Sequence, residues 1–172
     1  MVGQDEVAGW VRGRLPDEWF TGPAEVTTDR EEITIVGTIA PPDGVAADDD
    51  SGEALEAIAG RISRFREDTR DDRIAVAREA ERRFQRKVAW GVECGSQRDV
   101  FTNLSVPVMT RLRQPQRIVL DTLVDAGVAR SRSHALAWCV RLVGDNTEEW
   151  LGKLREAMSE VERVRDEGPT AK

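Results

Sequence analysis

The amino-acid sequence predicts an α+β protein: a small antiparallel sheet with covering helices, followed by a helical unit with one further helix. Runs rich in β-branched residues alternate with helical apolar periodicity in the first part of the chain, whereas the last third is helical in pattern almost throughout. Hydrophobic residues make up 40% of the 172 residues, which is enough for a buried core. These observations divide the chain into residues 1–105 and residues 106–172.

The N-terminal part begins with a helix and a hairpin. The apolar side chains of residues 5–15 lie near one helical face, and Pro16 ends the pattern. Residues 24–28 and 32–40 are rich in β-branched residues and are separated by a short polar turn, which is typical of a hairpin. Isoleucines at alternate positions of the second strand predict that one of its faces packs against a helix.

The N-terminal part continues with a loop, two helices and a second hairpin. Residues 41–52 contain two prolines, two glycines and three consecutive aspartates, so we expect a flexible acidic loop. Residues 53–86 are helical in pattern, and the polar run 68–72 separates two helices. Residues 87–94 alternate between apolar and polar side chains, and with residues 99–106 they are predicted to form a hairpin.

The C-terminal part, residues 106–172, follows a different pattern. An extended segment covers residues 106–112, and helices are predicted over residues 115–126, 133–143 and 147–166. The last helix carries a long stripe of apolar side chains.

Composition limits the class of function. The net charge of −7 and the pI of about 4.9 exclude a protein that coats a polyanion, so any contact with nucleic acid must be local. Cys94 and Cys139 are too few for a disulfide framework and have no ligands at metal-binding spacing, so we expect a reduced cytoplasmic protein without metal or cofactor. No apolar run approaches the roughly 20 residues that span a bilayer, and no export signal is recognisable, so no membrane association is expected.

Enzyme motifs are absent from the sequence, so we expect a protein without catalytic activity. His134 is the only histidine, and its place in the first turn of a predicted helix indicates a surface or capping residue. No serine or cysteine lies in a recognisable nucleophile motif. The arginines of residues 61–86 are interleaved with acids, which is typical of a solvated helix face. Trp19 is expected to anchor its loop onto the sheet.

The junction between two helices of the C-terminal part is the one place where spacing suggests a function. Gly127 can end a helix in the left-handed conformation, and Ser131 or Ser133 can cap the next helix. The first backbone N–H groups of that helix would then lie beside Arg130 and Arg132. This arrangement is a potential phosphate-binding site.

The same region combines an extended segment, two helices and a glycine turn. The positions that carry the pattern are Thr110, Arg111, Leu112, Ile118, Leu120, Leu123, Gly127, Val128, Arg130, Ser131, Arg132, Ser133, Ala135, Leu136 and Val140. In this pattern the chain resembles the ribbon-helix-helix repressor family, which includes the Met and Arc repressors. In that family two chains pair a short strand into an antiparallel ribbon that enters the major groove, and the second helix holds a phosphate at its N-terminus.

The resemblance implies a DNA interface and a shared dimer core. The bases would be contacted by Met109, Arg111 and Arg113, and the DNA backbone by Ser131, Arg132 and Ser133. Alternate residues of a strand point to one side, and an arginine can pair with both acceptors of a guanine, so the chemistry suits this role. The core of an obligate dimer would contain Leu112, Ile118, Leu123, Val128, Leu136 and Val140.

The sequence therefore predicts a bacterial DNA-binding transcriptional regulator that acts as a homodimer, with the N-terminal part sensing a protein partner or modulating assembly. The alternative is a non-enzymatic interaction or structural module in which the same segment only dimerises or packs internally. Pro107 favours internal packing, because it cannot donate to a ribbon. Pairing of residues 106–112 with the N-terminal sheet would favour this alternative. A two-chain ribbon from which Arg111 and Arg113 project, flanked by residues 131–133, would favour DNA binding.

Overall fold

The computed structural model describes residues 3–167 and divides the chain into two compact units, Met1–Pro107 and Val108–Lys172. This division lies two residues from the boundary placed on the sequence. The last five residues of the predicted C-terminal part fall outside the described residues. Within the described part of the chain, each helix is too short or too polar to cross a bilayer.

The N-terminal unit has the α+β architecture that the sequence predicts. Its elements, in chain order, are α1 (Gln4–Arg14), β1 (Glu25–Thr28), β2 (Glu32–Thr38), α2 (Gly52–Asp68), α3 (Arg70–Phe84), β3 (Lys87–Cys94) and β4 (Gln97–Val100). Ser51 caps α2, since its hydroxyl accepts a hydrogen bond from Ala54 N at 3.3 Å. The loop before α2 has no strand or helix, and Asp50 in it accepts a hydrogen bond from Ser96 at 2.8 Å.

The four strands form one mixed sheet in the order β1-β2-β3-β4. The β1–β2 and β3–β4 pairs are antiparallel hairpins, but β2 and β3 are parallel. The prediction of an antiparallel sheet was therefore wrong at the central pair. The physical reason is the connection: α2 and α3 carry the chain back to the starting edge of β2, so β3 runs in the same direction, as crossover connections require.

One face of the sheet carries the hydrophobic core. Ile33 pairs with Val88 and Ile35 with Trp90, and all four side chains are buried. Trp19 is also buried, so its predicted role as a loop anchor is confirmed. Its indole makes edge-on contacts with three rings of the core, those of Phe20, Phe65 and Trp90.

The second hairpin is shorter than predicted. Its turn is Gly95 and Ser96, with Gly95 at φ 56°, so β4 begins at Gln97 rather than at residue 99. The Phe101 N–H still donates to the Trp90 carbonyl at 2.7 Å, but residues 102–113 have no regular secondary structure. The predicted strand over residues 99–106 was therefore wrong beyond Val100. After the Phe101 bond the described chain makes no further backbone hydrogen bond to β3, and Leu104 and Val106 stay exposed.

The C-terminal unit contains two helices, α4 (Gln114–Asp125) and α5 (Arg132–Glu167). The two last helices predicted from the sequence lie on either side of a kink in α5 at Thr147, whose φ of −130° is not helical. The turn before the kink is held by side chains: Asn146 donates to the Leu142 carbonyl at 2.7 Å and Thr147 to the Val143 carbonyl at 2.5 Å. These bonds run back into α5, so the helix bends instead of ending.

Candidate nucleic-acid interface

The segment before α4 carries the residues predicted to face DNA bases. Val108 and Met109 are 88% and 96% exposed, and Arg111 and Arg113 are exposed as well. Residues 106–112 pair with no strand of the N-terminal sheet, whose last strand ends at Val100. The segment is therefore an unpaired peptide whose backbone donors and acceptors are available to another strand.

The first turn of α4 holds the end of this segment. Gln116 accepts a hydrogen bond from Arg113 N at 2.7 Å through its side-chain Oε1, and Arg117 Nη1 donates to the Leu112 carbonyl at 2.8 Å. Leu112 packs against the small core between α4 and α5. Within residues 3–167, neither Arg111 nor Arg113 has a carboxylate in salt-bridge contact. Both guanidinium groups are accordingly available to an external acceptor.

The junction between α4 and α5 has the predicted geometry. Gly127 lies in the left-handed region with φ 74°, and Ala129 N donates back to the Leu123 carbonyl at 3.1 Å. Of the two candidate caps, Ser131 is the one used, because its hydroxyl accepts a hydrogen bond from His134 N at 3.2 Å. His134 Nδ1 in turn accepts from Arg130 N at 3.3 Å, so this histidine serves the helix start.

Arg132 is already paired within the unit. Its Nε and Nη2 donate to the two carboxylate oxygens of Asp121 on α4, at 2.5 and 2.7 Å. The hydrogen bonds from Arg132 lower the pKa of the Asp121 carboxyl, and the same pair raises the pKa of Arg132. The pair links the two helices, so a phosphate would have to compete with Asp121 for this guanidinium.

The structure thus brings Ser131, Arg132 and Ser133 together on the first turn of α5. These residues differ in their hydrogen bonds: the Ser131 hydroxyl caps the helix, and Arg132 donates to Asp121. Ser133 and Arg132 are exposed, whereas Ala135 in the same turn is buried. Anion binding at this position would rest on the backbone N–H groups of the first turn and the helix dipole.

The C-terminal unit has little core of its own. Only Leu120, Ala129 and Ala135 are buried hydrophobic residues within its described part. A much larger set of apolar side chains is exposed on α4, the turn and α5, and we call it the exposed apolar surface: Ile118, Val119, Val128, Val140, Leu142, Val143, Trp150, Leu154, Met158, Val161 and Val164. Three of the six residues predicted for a dimer core, Ile118, Val128 and Val140, belong to this surface.

A shallow groove on α5 is continuous with the exposed apolar surface. Cys139, Val140, Val143, Gly144 and Leu151 line a volume of about 340 Å³. The C-terminal unit therefore exposes more large apolar side chains than it buries within its described part.

Two features of the structure were not foreseen from the sequence. The Arg132–Asp121 pair joins residues eleven positions apart on different helices, and no local spacing rule predicts it. Arg73, interpreted as part of a solvated arginine face, is only 7% exposed. The acids around Arg73 in the sequence concealed its burial, because a mixed-charge helix face is solvated by default.

Comparison with known proteins gives two adjacent family matches. A family profile described as "Rv1265-like protein, N-terminal domain" matches residues 5–100, and one described as "Mb1296 C-terminal domain" matches residues 113–165. Neither is a profile of a ribbon-helix-helix family. The segment between the two matches has no regular secondary structure.

Similar proteins occur in mycobacteria. The chain is 56% identical over 162 residues to the uncharacterized protein Mb1296 of Mycobacterium bovis and to the uncharacterized protein Rv1265 of Mycobacterium tuberculosis. Each alignment covers 94% of this chain and 70% of the relative. No solved structure matches the chain.

Proposed function

The chain belongs to the Rv1265-like protein family, and we propose that it is a DNA-binding transcriptional regulator that acts as a homodimer through its C-terminal unit. The observation that carries this proposal is the unpaired segment of residues 106–112, which precedes two helices with a capped junction. Such a segment can pair with the same segment of a second copy and present alternate side chains to the major groove.

The exposed apolar surface supports the dimer. A unit whose described part buries only three hydrophobic residues gains little from folding by itself, because burial of apolar area is the main favourable term. Ile118, Val128 and Val140 lie on α4, the turn and α5, so a second copy could cover all three together. A symmetric interface of this kind uses the same surface on both chains.

Local charge supports contact with nucleic acid. Between Arg111 and Arg141 the chain has six arginines and two aspartates, although the whole chain has a net charge of −7. Two of these arginines are Arg111 on the segment and Arg113 directly after it, and neither is in a salt bridge among the described side chains. A guanidinium group can make a bidentate contact to guanine. Met109 would then contribute apolar contact to the bases. Ser131, Arg132 and Ser133 would contact the DNA backbone.

The N-terminal unit has a complete core and would serve this regulator as a sensing or assembly module for a protein partner. The proposal requires no catalytic activity and no cofactor. It places the protein in the cytoplasm, where its DNA target and a reducing environment for Cys94 and Cys139 are available.

The test is DNA binding by the full chain, measured by fluorescence anisotropy on duplex DNA from the protein's own promoter region. The variant Arg111→Ala should weaken binding by about 5-fold to 150-fold, because a bidentate arginine–guanine contact contributes about 1–3 kcal/mol. The matched control is Arg155→Ala, which removes the same charge from an exposed position of α5 outside the proposed interface. This control should bind within about twofold of the unchanged protein.

Salt dependence gives a second readout of the same experiment. Contacts to phosphates release counterions, so affinity should fall steeply as salt is raised. Absence of salt-sensitive binding at micromolar protein would end the DNA-binding proposal. Equal losses in Arg111→Ala and Arg155→Ala would also contradict it, since general charge rather than the segment would then hold the DNA.

A second candidate function is an interaction module that dimerises without binding DNA. The Arg132–Asp121 pair favours it, because it occupies one of the cations proposed for the DNA backbone. The two functions differ in the behaviour of Asp121→Asn. This change releases Arg132 and removes a negative charge beside the junction, so it should strengthen DNA binding in a regulator. In a purely dimeric module it should weaken the contact between α4 and α5 and give no DNA binding.

A further inference from the structure

Three arginines lie close together in the N-terminal unit, and two of them contact the ring of Phe101. Arg66 belongs to α2, and Arg70 and Arg73 to α3, on either side of the junction between these helices. The guanidinium carbon atoms of Arg66 and Arg73 lie 5.4 and 5.0 Å from the centre of the Phe101 ring. Both distances are within the range of cation–π contacts.

Arg73 is fixed in this cluster by three contacts. Its Nε donates to the Thr69 hydroxyl at 2.9 Å, and its Nη2 donates to the Arg66 carbonyl at 2.6 Å. Phe101 packs on the same guanidinium group. Arg73 is 7% exposed, and its Nη1, which has no hydrogen-bond acceptor among the described residues, is not one of the fully buried atoms. A buried cation with one free donor group is held in position before any ligand arrives.

The cluster makes little direct contact with the acids that lie near it in the sequence, which are Glu67, Asp68, Asp71 and Asp72. Arg70 contacts Asp71 at 3.7 Å, but both side chains are largely exposed and such a pair is weak. Within residues 3–167, Arg66 and Arg73 form no salt bridge. Burial lowers the pKa of Arg73, and the charges of Arg66 and Arg70 lower it further. A buried cation next to like charges is costly unless an anion joins it.

We propose that Arg66, Arg70 and Arg73 form a binding site for the phosphate group of a small phosphorylated ligand, with Phe101 as its apolar wall. Guanidinium groups bind phosphate oxygens in bidentate geometry. The charge of three cations is balanced better by a phosphate than by a single carboxylate. Arg73 supplies a preorganised donor, and the exposed Arg66 and Arg70 close on the anion from either side. This site does not depend on the proposed DNA binding.

The structural contribution of Arg73 determines the choice of variant. Its bond to the Arg66 carbonyl satisfies the end of α2, so removing Arg73 would loosen the helix junction as well as the site. Arg66 and Arg70 are exposed, and no hydrogen bond from either side chain holds a described part of the fold. The double variant Arg66→Ala/Arg70→Ala therefore tests the site with little effect on folding.

The experiment is calorimetric titration of the full chain with inorganic pyrophosphate, ATP and citrate at low salt. We expect saturable binding of one pyrophosphate or ATP per chain, and at least a tenfold loss of affinity, by order of magnitude, in Arg66→Ala/Arg70→Ala. The matched control, Arg64→Ala/Arg78→Ala, removes two exposed arginines from the same helices outside the cluster and should bind within about twofold of the unchanged protein.

The ligands and variants separate the outcomes. If pyrophosphate binds as tightly as ATP, the site recognises the phosphate alone. If ATP binds more tightly, the site also contacts the nucleoside. Both results support the site. Citrate bound as tightly as pyrophosphate would overturn the assignment to phosphate. Absence of saturable binding, or equal losses in the two double variants, would overturn the site itself.

Discussion

Val140 provides the sharpest test of the proposed dimer. It lies on α5, and 65% of the residue is exposed in the single chain, although it also lines the apolar groove on that helix. If a second copy covers this residue, the change Val140→Glu introduces a carboxylate into the interface at two symmetric positions. The substitution leaves the small core of Leu120, Ala129 and Ala135 untouched.

The expected loss follows from burial and desolvation. A valine side chain contributes about 1.5 kcal/mol when it is fully buried, so burial of the exposed 65% contributes about 1 kcal/mol per chain. A polar group buried without a partner costs roughly a further 1–3 kcal/mol per chain. For two copies the dimer loses at least about 4 kcal/mol, which corresponds to roughly a thousandfold weaker dimer dissociation constant.

The assay is sedimentation equilibrium of the full chain over a range of concentrations. The unchanged protein should sediment as a dimer at micromolar concentration, and Val140→Glu as a monomer. Arg141→Ala is the matched control, because it changes the net charge by the same amount at an exposed neighbouring position that points about 100° away around the helix. This control should remain dimeric.

Two results would refute the reasoning. A monomeric unchanged protein at high concentration would mean that the exposed apolar surface is not covered by a second copy. A Val140→Glu variant that remains dimeric would place the interface elsewhere. Circular dichroism of each variant separates a lost interface from a lost fold, since only the latter removes the helical signal.

Three further predictions concern local features. Gly37→Ala should destabilise the N-terminal unit by roughly 1–3 kcal/mol in thermal unfolding, because an added Cβ would lie 2.2 Å from the Phe20 ring; an unchanged transition would contradict this packing. Ser131→Ala should cost about 0.5–2 kcal/mol through loss of the cap, visible as lower thermal stability of the C-terminal unit. The Arg132 pair lowers the pKa of Asp121 below 3.8, so its contribution to stability is complete above that pH and is lost as pH falls through the folded-state pKa. Carboxyl titration by NMR should give this lowered pKa, and Arg132→Ala should return it towards its ordinary value.

Features determined by local chemistry could be predicted from the sequence. The left-handed Gly127 and the capped start of α5 depend on residues within one turn of the chain, and both are found in the structure. The buried isoleucines of β2 follow from the two-residue period of a strand. Trp19 could be predicted to pack on the sheet, because burial of a large aromatic side chain from a proline-containing loop contributes more free energy than burial of its neighbours.

Features that depend on residues distant in the sequence could not be predicted in this way. The parallel pairing of β2 and β3 is decided by the path of two helices rather than by either strand. The end of β4 depends on how far the chain continues to pair with β3. The burial of Arg73 depends on Phe101, which lies 28 positions away in the sequence. The state of Arg132 depends in the same way on Asp121, a residue of another helix, so local spacing could not predict the partner of this cation.

The two parts of the proposed function rest on different physical terms and can fail separately. Dimerisation follows from apolar area that the C-terminal unit leaves exposed, and this term is insensitive to Arg111 and only weakly sensitive to salt. DNA binding follows from a few unpaired cations on a chain that is acidic overall, and this term is steeply sensitive to salt. A dimer that persists in high salt while DNA is released would therefore fit a regulator. A dimer without salt-sensitive DNA binding would leave the same surface as an interaction module, and Arg132 would then serve only to hold α5 against α4.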